Sequence, residues 1–139
     1  MDEDRILKEL DELDSYMGEI KEIIPKKSAG YAGSAKTRRA CERLLQISIE
    51  SVINVCGILV KEMKLGTPSD EDDIFQKLMK EKIISARMLD TLKSMKGFRN
   101  ILVHRYGDVD DALVFDFLKS NMADFSDFKK QVLTFLRRK

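Results

Sequence analysis

The stretch from Ala35 to Leu65 constrains this chain more than any other. Cys41, Leu44, Leu45, Ser48, Val52, Val55, Cys56, Leu59 and Met63 recur every three or four positions, which is the period of an α-helix. Ile47, Ile49, Ile53 and Val60 fall outside that seam and widen it, so the helix is expected to be buried on more than one side. One polar ridge remains, formed by Arg39, Arg43, Gln46, Glu50, Asn54, Gly57 and Lys61. It is either a solvated face or one wall of a polar cleft. The most apolar run, Ile47 to Val60, is interrupted by Glu50 and Asn54 and is too short and too polar to span a bilayer. Cys41 and Cys56 would lie roughly 22 Å apart on this helix, beyond the reach of a disulfide. Two unpaired thiols serving as apolar fillers suit a reducing cytoplasm.

The rest of the chain keeps the same period. Ile6, Leu10, Leu13, Met17, Ile20 and Ile24 form one stripe, ended by Pro25 and the Lys-Lys-Ser-Ala-Gly run after it. Residues 26–34, punctuated by Gly30 and Gly33, are expected to form a loop. Gly66-Thr67-Pro68-Ser69 stops the long helix, and Ser69 with Asp72 resembles a capping arrangement for a short helix over residues 71–80. A further helix is expected over residues 85–103, then a loop from His104 to Asp108. Asp110 would cap a last helix running to about Arg137 on Val114, Leu118, Phe125, Phe128, Val132 and Phe135. With no strand pattern and no repeat, the expectation is an all-α protein. It would be an antiparallel helical bundle, a single domain over residues 1–139 with one core.

Charge narrows the function classes. The chain has 25 basic and 24 acidic residues, a net charge of +1. It therefore has no global field to draw in nucleic acid or an anionic membrane, and any RNA contact needs a local patch. Its start, Met1-Asp2-Glu3-Asp4, lacks the basic and apolar runs of a secretory signal. No His/Cys cluster offers a metal site and no Gly-rich loop offers a phosphate cradle.

One helix contains an anomaly. Met88, Leu92, Met95 and Leu102 share a seam whose missing position is Arg99. A guanidinium there is costly unless it is paired, reaches water, or faces a wet cleft or a partner chain. His104, the single histidine, follows five residues later. Residues five apart on a regular helix diverge by about 140°. Arg99 and His104 can then meet only if the helix unwinds near His104, or if they come from different chains.

The run Arg99-Asn100-Ile101-Leu102-Val103-His104-Arg105-Tyr106 resembles the signature of the HEPN superfamily of ribonucleases, an Arg followed at short spacing by a His. The Tyr two residues after the His is similar to the HepT-type branch. Gly97-Phe98-Arg99-Asn100 resembles that branch's approach to the motif, and Arg43, Gln46 and Glu50 resemble its polar pattern on the second helix. The resemblance in element order covers nearly the whole chain. It implies a homodimeric, metal-independent endoribonuclease toxin with no cofactor, encoded beside a small nucleotidyltransferase antitoxin that silences it by adenylylating Tyr106.

The residue chemistry stands on its own beside that resemblance. Cleavage of RNA by its own 2′-hydroxyl needs a proton acceptor, a proton donor and a cation for the developing phosphorane charge. Histidine can fill either proton role, and arginine is a planar cation suited to phosphate. One chain supplies one His, so an acid–base pair of histidines needs two chains. Arg99 would hold the scissile phosphate and His104 would be the general acid/base. Asn100 would orient the phosphate or cap a helix carbonyl. Tyr106 would be the modified residue, and Arg43, Gln46, Glu50 and Arg105 are cleft candidates. The rival is a non-catalytic helical subunit that binds a nucleotide or substrate for a small nucleotidyltransferase. A plain dimerisation bundle is the third reading.

Overall fold

A computed structural model of the chain describes residues 1–104 and 109–139. Among these residues the chain forms α-helices α1 (Glu3–Ile23), α2 (Ser28–Ala32), α3 (Ala35–Glu62), α4 (Glu71–Lys80), α5 (Ala86–His104), α6 (Asp111–Ser120) and α7 (Ala123–Arg138). The all-α bundle expected from the periodicity is the fold found.

α3 is the central element and packs against α1, α2, α4 and α5. Its breadth of apolar surface explains this position: Cys41, Leu45, Ile49, Val52, Val55, Cys56 and Leu59 are fully buried, and Ile53, Ile58 and Val60 nearly so. By length and hydropathy alone α3 could cross a membrane, yet 61% of its most apolar window is buried inside the bundle. Both cysteines are buried and unpaired, and burial pushes the Cys41 and Cys56 thiols above their usual values. The α1 stripe also behaves as its spacing predicts, with Ile6, Leu10, Leu13 and Ile20 buried against the core.

Four expectations shift. Residues 26–34 are not all loop, because Tyr31 is buried against Phe115 of α6 and anchors the short helix α2. The long helix stops at Glu62 instead of Leu65. Lys64 N–H donates to Lys61 O at 3.1 Å and Leu65 N–H to Val60 O at 3.0 Å, which is a Schellman turn with Lys64 at φ 54°. The α4 cap is Asp70, whose side chain accepts from Asp73 N–H at 2.7 Å. Asp73 in turn accepts from Ser69 N–H at 2.9 Å, a bond that holds its carboxyl below the usual value. The capping pair is thus one residue later than Ser69 and Asp72. Asp110 caps α6 as expected, but the last helix is broken at Asn121 and Met122. The break lets Phe117 meet Phe98 of α5 at 4.5 Å between ring centroids while Phe125, Phe128 and Val132 stay buried.

Lys64 occupies a left-handed position that glycine adopts without steric cost. Lys64→Gly is expected to stabilise the protein by about 0.5–1 kcal/mol. The gain would be read as a higher urea midpoint at unchanged slope. A lower midpoint would contradict the strain at this turn.

Candidate active site

The side chain of Ser85 opens α5 by accepting from Met88 N–H at 3.0 Å. The inward seam follows the sequence reading: Met88, Leu92 and Met95 are buried and Leu102 is partly buried against the core. Arg99 continues this line one turn after Met95, with its side chain 15% exposed. The guanidinium is paired. Nη2 donates to Glu71 Oε1 at 2.5 Å, and Nε donates to Asn100 Oδ1 at 2.9 Å. Pairing is therefore how the chain tolerates an arginine on an apolar seam.

Glu71 is the first residue of α4. Negative charge is favoured there by the helix dipole, and Glu71, Asp72 and Asp73 all lie in that first turn. Asp72 meets Lys96 of α5 at 2.7 Å. Lys96 and Arg99 are three apart on one helix and so share a face, and the two ion pairs join the start of α4 to the last half of α5.

His104 is the last residue of α5 and is exposed, instead of opening the following loop. The helix stays regular between the two motif residues. They are separated by a turn of about 140° and a rise of about 7.5 Å. A single chain thus aims Arg99 inward at α4 and leaves His104 on another face. That second face carries Lys93, Gly97 and Asn100 at helical spacing before His104, and all but the partly buried Asn100 are exposed. A Cβ built on Gly97 would meet nothing within 4 Å, so open space lies along it.

The other sequence candidates are spread more widely. Arg43 is exposed, while Gln46 and Glu50 are half-buried and joined by a hydrogen bond from Nε2 to Oε2 at 3.3 Å. Among the described residues, no hydrogen bond or ion pair links these three to Arg99. Arg105 and Tyr106 lie outside the described residues. Asn100 accepts from the guanidinium; a helix-carbonyl cap by its side chain is not among the hydrogen bonds of the described residues. A cleft of about 590 Å³ opens at the far end of α5, lined in part by Lys82, Ile83, Ile84 and Arg138, and contains none of the candidates.

Sequence reasoning missed Glu71. Its signal was present as charge complementarity: adjacent acids at 71 and 72, and cations at 96 and 99 spaced to meet them. Periodicity within α4 says only which of its faces is buried, and not what its first turn touches.

Comparison with known proteins adds a family. A family model described as Ribonuclease HepT-like matches residues 13–132. An mRNA nuclease HepT of Shewanella oneidensis is 31% identical over 84 residues, covering 60% of this chain and 63% of that protein. The chain thus spans less than two thirds of that relative. A tRNA nuclease HepT of Aphanizomenon flos-aquae is 24% identical over 121 residues, covering 87% of this chain and 82% of the relative. Among solved structures, a tri-AMPylated HEPN toxin of Shewanella oneidensis in complex with an MNT antitoxin aligns with a TM-score of 0.85 at 22% identity. That match covers 93% of this chain and 96% of the other. At that identity the likeness carries the fold.

Proposed function

The chain belongs to the HepT-like ribonuclease family, and on that premise we propose that it is a metal-independent endoribonuclease toxin acting as a homodimer. The observation that carries this reading is the end of α5: a paired, inward Arg99 and an exposed His104 on a regular helix. One chain supplies the cation and one proton shuttle but does not aim them at one point. A second copy related by a two-fold axis would bring another Arg99 and His104 across a shared cleft.

In that cleft one His104 takes the proton of the RNA 2′-hydroxyl as its oxygen attacks the adjacent phosphorus. The bond from phosphorus to the 5′-oxygen breaks, and the His104 of the other copy protonates the departing oxygen. Arg99 offsets the charge that builds on the phosphoryl oxygens. The products end in a 2′,3′-cyclic phosphate and a 5′-hydroxyl. Arg105 and the α3 residues Arg43, Gln46 and Glu50 would contact the RNA beyond the scissile phosphate. The reading covers residues 1–139 as one domain, and the unpaired, buried cysteines support a cytoplasmic setting.

Control is assigned to Tyr106. A cognate nucleotidyltransferase antitoxin would let the Tyr106 hydroxyl attack the α-phosphorus of ATP, releasing pyrophosphate and leaving a phosphodiester. The AMPylated Shewanella toxin in complex with its antitoxin supports this. The added anion would compete with RNA phosphate for Arg99 or Arg105. Tyr106→Phe is expected to cleave RNA in EDTA as wild type does, yet to gain no mass after incubation with the antitoxin and ATP. Equal modification of Tyr106→Phe would reject this role.

The near-neutral charge of the chain favours the rival, a non-catalytic nucleotide- or substrate-binding subunit of a nucleotidyltransferase. RNA degradation by purified protein in EDTA separates the two: the toxin degrades it and the subunit leaves it intact.

A further inference from the structure

The contact between α4 and α5 has a function beyond packing: we infer that Glu71 is a positioning residue that holds Arg99 in one plane for phosphate. The inference rests on the reading of Arg99 as the phosphate-holding group. A guanidinium offers five N–H donors in a fixed fork. Asn100 Oδ1 takes the Nε donor, and Glu71 Oε1 takes one donor on Nη2. These contacts engage adjacent positions on the fork and stop its rotation. Nη1 has no partner among the described residues and is left for a phosphate oxygen.

The geometry distinguishes a clamp from a plug. A carboxylate that blocked the arginine would take the fork with both oxygens, in the bidentate way that phosphate does. Glu71 uses one oxygen on one nitrogen. Its backbone is also fixed. Asp70 caps α4, Asp73 is engaged by Ser69 N–H, and Asp72 pairs with Lys96. Each acid of this turn has its own partner, and the one given to Arg99 comes from the rigid start of a helix. The Arg99 and Glu71 side chains are 15% and 34% exposed, so the pair is partly shielded and still open to a ligand on one side.

The test uses the full-length protein and two variants. Glu71→Gln keeps an acceptor oxygen at Oε1, whereas Glu71→Ala removes it. Glu71→Ala is expected to lower kcat for RNA cleavage by about 10–100-fold with little change in KM, the range for misplacing a catalytic group. Glu71→Gln should stay within about threefold of wild type, since the acceptor and its geometry remain. Nitrogen-15 NMR reads the clamp independently of cleavage, with Arg99→Lys used to assign the signals. Wild type and Glu71→Gln should show separate Arg99 Nη signals from hindered rotation about the Nε–Cζ bond, and Glu71→Ala should show them averaged. Unchanged Arg99 signals in Glu71→Ala would overturn the clamp whether or not RNA is cut. Faster cleavage by Glu71→Ala would overturn it in favour of a plug. If wild type cuts no RNA in EDTA, the ribonuclease reading fails while the NMR comparison still decides the clamp.

Discussion

His104→Ala is expected to reduce RNA cleavage by about 10²–10⁴-fold, the usual worth of a general acid or base, while leaving the protein as stable as wild type. The two halves of this expectation come from different observations. His104 is the chain's single histidine, so no neighbouring imidazole can take over the proton transfer. It is also exposed at the end of α5. A surface truncation of that kind changes stability by no more than about 0.5 kcal/mol. Cleavage assays in EDTA and thermal unfolding of the same samples check both halves. Full activity with an unchanged melting curve would remove His104 from the mechanism.

Arg99→Lys is expected to lower cleavage by about 10²–10³-fold, comparable to the loss of a donor aimed at developing charge. The substitution keeps the positive charge beside Glu71, so α4 stays docked. It loses Nε, the atom that donates to Asn100, and with it the planar fork that fixes direction. A neighbouring substitution is the control. Lys96 makes the second α4–α5 ion pair, with Asp72, and side chains 25% and 44% exposed place that pair among those worth about 0–1 kcal/mol. Lys96→Ala should therefore leave cleavage near wild type. Equal losses in Arg99→Lys and Lys96→Ala would mean that docking of α4, and not phosphate contact, sets the activity.

What was legible in the sequence followed from periodicity. α1, α3 and α5 carry stripes long enough to fix their class and their buried faces, and α4 is bounded by a strong stop and cap. The failures arose where tertiary contacts override local signals. Nothing in residues 26–34 announces a helix until Tyr31 is placed against Phe115. No proline or glycine marks the break at Asn121, which serves the packing of Phe117 against Phe98 and Phe125. The site was legible in part for the same reason. An arginine on an apolar seam is visible in one dimension, but its partner Glu71 is 28 residues away on another helix. The relation of Arg99 to His104 was legible as a pair of alternatives, unwinding or two chains, and regular helix through His104 favours the second.

The composite site is the central claim, and a heterodimer tests it most directly. Wild-type and His104→Ala chains bearing different tags can be co-expressed, and the mixed dimer isolated by sequential capture and assayed on RNA in EDTA. An acid–base pair drawn from two chains needs both histidines, so the mixed dimer should fall to the level of the His104→Ala homodimer. A mixed dimer retaining about half of wild-type activity would show that a site works with a single His104, and would contradict the account.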